Sequence, residues 1–113
     1  MIKEWNKLVR DKIPQNLAKK GINTKMSILQ DEEYQKALNE KLLEEANEVV
    51  NSVTKEELTE EIADLMEVME SIIKNRNISL EEIKKVKEEK KATRGGFDDK
   101  VFLICTEEKE VEK

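Results

Sequence analysis

The sequence contains no histidine, one cysteine, one proline and three glycines, and only 4% of its residues are aromatic. Each scarcity removes a class of chemistry. Without histidine there is no Ser-His-Asp triad, no imidazole base and no imidazole-ligated metal. A single cysteine makes neither an intramolecular disulfide nor a thiolate zinc cage. That cysteine, Cys105, lies in an apolar run without a histidine partner and reads as inert. No apolar run is as long as a membrane span and no signal peptide opens the sequence, so the expected location is cytoplasmic, with no membrane partner. Any catalysis falls to carboxylates, lysines and a hard metal ion.

What the sequence has in excess is charge. Charged residues make up 42%, against roughly 25% in ordinary globular chains. Asp and Glu number 26 against 21 Lys and Arg, for a net charge of −5. The two signs are interspersed, which excludes a disordered acidic chain and a basic nucleic-acid arm. The acidic balance argues against a nucleic-acid polymer as partner. It leaves a nucleotide open, because a bound divalent cation reverses the local field. The 113 residues allow one domain, 1–113. A domain this small, 37% hydrophobic, is expected to complete its core with a partner subunit.

Pro14 and Gly21 bracket a short helix, residues 14–20, after an irregular arm. Asp31 reads as the N-cap of a long helix running to about Ser52. Thr54-Lys-Glu-Glu57 is a capping box opening a second long helix that ends between Asn75 and Asn77. Ser79-Leu-Glu-Glu82 opens a third, to about Lys91. Gly95-Gly96 breaks the pattern. Residues 101–105 form a short apolar run that reads as a strand, with residues 5–10 as its candidate partner. The charged tail from Glu107 is expected to fray. No internal repeat or linker interrupts the chain. The expected architecture is an all-α helical bundle with a short C-terminal strand as its appendage.

The informative residues lie on the two long helices. At roughly 100° per residue, Leu38, Leu42, Val49 and Val53 make one apolar arc of the first helix. Glu45 stands at its margin and Glu48 about 60° further round. On the second helix the arc is Leu58, Ile62, Leu65, Met69 and Ile72. There Glu61 holds the margin and Asp64 lies about 60° beyond it in the same sense. A short connection favours antiparallel packing, which brings four carboxylates to one edge of the core. Their mutual repulsion and desolvation call for cations. Oxygen-only ligands select Mg²⁺, Mn²⁺ or Ca²⁺, and Mg²⁺ commonly joins carboxylates to a substrate's phosphates. The opposing reading is a solvated acidic rim, which a chain so rich in Glu produces by chance. Glu40, Glu57, Glu60, Glu67 and Glu70 point away from the arcs and fit it better.

These residues also carry a resemblance. Glu44-Glu45-x-x-Glu48 followed by Glu61-x-x-Asp64 resembles the EExxE…ExxD signature of the all-α nucleoside triphosphate pyrophosphohydrolases, and Lys41-Leu42 extends it. Lys7-Leu-Val-Arg-Asp-Lys-Ile-Pro14 and Arg94-Gly-Gly-Phe97 resemble a small MazG-related, phosphoribosyl-ATP pyrophosphohydrolase-like subgroup. The resemblance implies a dimeric or tetrameric helical enzyme. It would use Mg²⁺, with Mn²⁺ as a substitute, to split a nucleotide into monophosphate and pyrophosphate. By the same resemblance Glu45, Glu48, Glu61 and Asp64 hold the metal, and the catalytic carboxylates are Glu44, Glu45 and Glu48. Glu44 acts as a further ligand or through water.

The remaining candidates each have two readings. Lys41 either meets a substrate phosphate or tethers Glu45 or Glu48 one turn away. Arg10 and Lys12 either reach phosphates or, through Arg10 and Asp11, bridge to another segment and order the arm. Arg94 precedes two glycines able to bare N–H groups to an anion, or it simply enters the final strand. Lys90 and Lys91 read as solvated. Trp5, Phe97, Met66 and Met69 read as core, although the two aromatics also suit stacking on a base. Three functions follow. The first is house-cleaning hydrolysis of a nucleoside triphosphate. The second is the removal of pyrophosphate from phosphoribosyl-ATP in histidine biosynthesis. The third is a non-catalytic helical dimerisation module.

Overall fold

Four helices form close to where the start and stop signals place them: α1 (Ile13–Lys19), α2 (Asp31–Val50), α3 (Lys55–Asn75) and α4 (Leu80–Arg94). The computed structural model describes residues 1–110, so residues 111–113, the end of the charged tail, lie outside the described residues. The chain divides into two compact units, Met1–Ser79 and Leu80–Lys113. Among the described residues none forms a strand, and none is in a helix long and apolar enough to cross a membrane. The run 101–105 is an exposed irregular segment, which corrects the expected strand. An apolar run becomes a strand only where a second one offers a ladder, and residues 5–10 form no strand either.

The helix ends show why the elements sit where they do. The Thr54 side of the α3 capping box is made, and the Glu57 carboxylate reaches one residue past the cap, to Val53. Glu57 N–H donates to Thr54 Oγ1 at 3.1 Å, and Val53 N–H donates to the Glu57 carboxylate at 3.1 Å. At its other end Asn77 turns left-handed, with φ 55°, and Ile78 N–H reaches back to the Ile73 carbonyl at 3.1 Å. Gly21, at φ 78°, ends α1 in the same way, with Ile22 N–H on the Leu17 carbonyl at 3.0 Å. Asp31 is not the N-cap of α2. Gln30 holds that position, and Asp31 is the first helical residue. Its carboxylate accepts instead from Asn75 Nδ2 at 2.9 Å.

That bond ties the start of α2 to the end of α3, so the two helices run antiparallel across the short connection at 51–54. They pack along their length. The seam takes Leu38, Leu42, Glu45 and Val49 from α2, and Glu61, Asp64, Leu65, Val68 and Ile72 from α3. Leu38 and Val68 are the buried apolar residues among those described. Val68 falls outside the apolar arc expected for α3. Leu58, Ile62 and Met69, inside that arc, are exposed, as are Val53 and Met66. The apolar surface of α3 is wider than one neighbouring helix covers, so the seam takes one side of it and leaves the other open. Trp5 is 61% exposed and Phe97 98%, so neither completes a core. Trp5 instead carries the Lys3 ammonium 4.1 Å from its ring centroid.

The second unit, taken by itself, has no buried residue among those described. Its helix α4 runs three residues beyond the expected Lys91, to Arg94. Gly95 then turns left-handed at φ 82°, with its N–H on the Lys91 carbonyl at 2.9 Å.

Candidate active site

The antiparallel pairing brings carboxylates from both long helices together. Glu45 of α2 and Glu61 and Asp64 of α3 each offer an oxygen, and these oxygens all lie within 4.8 Å of one another. Glu45 is 8% exposed, the one buried charged residue among those described, while Glu61 and Asp64 are half-buried. It occupies a seam position on α2, one helical turn after Leu42 and one before Val49. Glu48 lies one turn further on, exposed and outside this trio, yet near enough for its charge to act on Glu61.

The crowding has an electrostatic signature. The Glu61 carboxyl is held above its ordinary value of 4.5, first by desolvation and then by the charges of Glu48, Asp64, Glu45 and Glu60. Three cationic side chains offset part of the negative charge. Lys41, half-buried, places Nζ 3.5 Å from Glu45 and 3.6 Å from Glu44. Arg10 Nη2 donates to Asp64 Oδ1 at 2.8 Å, and Lys7 Nζ stands 3.9 Å from Glu44. The donor set is entirely carboxylate, clustered and only partly neutralised, and it fits a hard divalent cation.

Each residue singled out from the sequence can now be placed. Glu44 is exposed at the edge of the group, between Lys7 and Lys41. Lys41 adopts the tethering arrangement, on Glu45 rather than Glu48. Arg10 adopts the bridging one, and its partner is a member of the acidic trio. Lys12 is the N-cap residue of α1, where its carbonyl accepts from Asn16 N–H at 3.0 Å. Its side chain is exposed. Arg94 belongs to the second unit, where it lines an open concavity of about 520 Å³ with Gly95, Gly96, Asp98, Asp99 and Lys100. Two carboxylates there balance the two cations, so this turn is no bare anion site. Lys90 and Lys91 are exposed, and so is Cys105. Lys7 escaped the sequence reading as a contact to the site. Its signal was the spacing of Lys7, Arg10 and Lys12 along one short arm.

Residues 13–91 match a family model described as phosphoribosyl-ATP pyrophosphohydrolase. The match covers well over half of the chain. It includes Lys41, Glu44, Glu45, Glu48, Glu61 and Asp64, and it excludes Arg10, Lys12 and Arg94. No curated protein and no solved structure matched the chain. Enzymes of this kind generally depend on a divalent metal, in keeping with the acidic cluster, and a non-catalytic module is left without support. The stretch that carries the antiparallel acidic helices is thus the stretch that is matched, and the chain belongs to the phosphoribosyl-ATP pyrophosphohydrolase family, all-α hydrolases that cleave phosphoanhydride bonds.

Proposed function

We propose that this chain is a Mg²⁺-dependent enzyme, with Mn²⁺ able to substitute. Its substrate in this reading is a nucleoside triphosphate or related nucleotide, split into monophosphate and pyrophosphate in a house-cleaning role. The observation that carries the proposal is the trio of Glu45, Glu61 and Asp64 oxygens within 4.8 Å, with Glu45 buried among them. So much charge at a helix seam is costly unless a cation accompanies it. Glu45, Glu48, Glu61 and Asp64 would hold that cation, which when bound neutralises phosphate charge and makes water more acidic. In this reading Glu44, exposed beside Glu45 on α2, accepts a proton from the attacking water, with Glu45 and Glu48 as the other catalytic carboxylates. The water oxygen bonds to phosphorus, the anhydride P–O bond breaks and pyrophosphate leaves with the bonding electrons. Lys41, Arg10 and Lys12, all in the first unit, are the candidate cations for substrate phosphates.

A second reading takes phosphoribosyl-ATP as the substrate, and the description of the matched family favours it. We rank it second because the arm bearing Arg10 and the turn bearing Arg94 both fall outside the matched residues and resemble the stand-alone subgroup. The match runs across the division between the two units, which supports reading residues 1–113 as one functional domain. The exposed strip of Leu58, Ile62, Met66 and Met69 supports a homodimer or homotetramer as the working form.

The test is pyrophosphate release from a panel of nucleoside triphosphates and phosphoribosyl-ATP, with Mg²⁺. Release from one or more triphosphates in preference to phosphoribosyl-ATP is expected. The reverse preference establishes the second reading, and silence across the panel at high enzyme concentration overturns both.

A further inference from the structure

The acidic trio is met by a cation from outside the two long helices. Arg10 lies on the irregular arm that precedes α1, and its guanidinium donates to Asp64 Oδ1 at 2.8 Å. Lys7, one short step back along the arm, points to Glu44 at 3.9 Å. The arm is therefore held over the carboxylates by charge, at side chains that are themselves partly exposed. A charge-assisted bond of this length uses an acceptor oxygen that a hard cation also seeks. The same negative field attracts both.

We propose that Arg10 is a cation placeholder. It occupies Asp64 while the acidic centre is free of divalent metal, and it is released, with its arm, when the metal takes the carboxylates. The released guanidinium is then available to an anionic substrate. This rests on the metal-binding reading given above. It contrasts with a supporting role, in which Arg10 would orient Asp64 for the metal. The two roles predict opposite signs. A competitor lowers metal affinity and a supporting group raises it.

The experiment is calorimetric titration of Mg²⁺, without nucleotide, into the full chain and into Arg10→Gln. The pair is exposed, so the expected gain is modest: Mg²⁺ binds about fivefold more tightly to Arg10→Gln. Lys19→Gln removes the same unit charge away from Asp64 and is expected to leave affinity unchanged. A second readout uses Trp5, the chain's single tryptophan, five residues before Arg10. Its fluorescence anisotropy should fall as Mg²⁺ binds the wild type, and start lower and change less in Arg10→Gln, where Lys7 alone still tethers the arm. A supporting role would instead weaken binding in Arg10→Gln by about tenfold or more. That result, unchanged affinity, an equal gain in Lys19→Gln, or steady Trp5 anisotropy while calorimetry records Mg²⁺ uptake overturns the placeholder and leaves the metal site standing. Absence of Mg²⁺ uptake by either protein overturns the metal site and the placeholder together.

Discussion

The two faces of α3 invert the usual order of a small protein. The face turned to α2 carries Glu61 and Asp64 beside Leu65, Val68 and Ile72. The face turned away carries Leu58, Ile62, Met66 and Met69, all exposed, Met66 at 55%. Carboxylates occupy part of the seam and apolar side chains stand in water. Stability alone favours neither placement, since buried charge costs free energy and exposed apolar surface forgoes it. The inner face makes sense if a cation joins it, and the outer face if another protein surface covers it. The two faces thus suit two different partners, a cation and a protein surface, and separate experiments can address them.

Metal removal strikes the inner face hardest. Chelation is expected to abolish pyrophosphate release, and excess Mg²⁺ to restore it. Mg²⁺ should also raise the thermal midpoint of the protein, because a ligand at 100 times its Kd adds about 2.7 kcal/mol of stability. Activity that persists through exhaustive chelation would remove the cation from the argument. Next in size come Asp64→Asn and Glu48→Gln, each expected to lower turnover by about 100-fold or more while leaving the far-UV circular dichroism unchanged. Glu48 lies outside the close trio, so its variant is the sharper probe. Unchanged Mg²⁺ affinity and turnover in both would take these residues out of the site.

The inner face was more legible from the sequence than the outer. Capping residues such as Thr54 and Glu57 act through neighbours a turn away, so helix positions could be read locally. The i, i+3 carboxylate pairs were equally visible on a wheel. What a wheel does not give is the angle at which a helix meets its neighbour. The arc centred on Leu58, Ile62 and Met69 was a true apolar arc, but α3 turns a different part of its surface to α2, with Val68 buried instead. Glu45, expected at a margin, is therefore inside the seam. The strand expected at 101–105 failed for a related reason, since a ladder depends on a partner that sequence pattern does not supply. The Arg10–Asp64 bond joins residues 54 apart, and the sequence offered bridging as one choice without naming the acceptor.

The outer face yields a smaller effect, read in assembly rather than chemistry. Met66→Glu places charge in the middle of the exposed strip. If a second copy covers this face, sedimentation should shift from oligomer to monomer and the thermal midpoint should fall. Burying one such side chain is worth about 1.5–3 kcal/mol, and a two-fold interface uses it twice. Unchanged size and midpoint would mean that the strip is simply solvated, and the comparison of faces would lose its second half.

The finest test returns to Glu61 on the inner face. Its carboxyl is held above 4.5 in the folded chain by desolvation and by Glu48, Asp64, Glu45 and Glu60. The folded state therefore binds the Glu61 proton more tightly than the unfolded state does. Stability from this group falls as pH rises through the window between the two values, and the penalty is complete above the folded one. In metal-free protein Glu61→Gln is expected to melt slightly above wild type at neutral pH. The gap should close as pH falls toward the acid side of that window, where Glu61 carries its proton anyway. Saturating Mg²⁺ should reverse the order at neutral pH, because the wild type then gains a carboxylate ligand that the variant lacks. Melting curves for both proteins, with and without Mg²⁺ at the two pH values, measure all of this at once. A variant that melts above wild type even with Mg²⁺ would mark Glu61 as a crowded bystander and leave the cation to Glu45, Glu48 and Asp64.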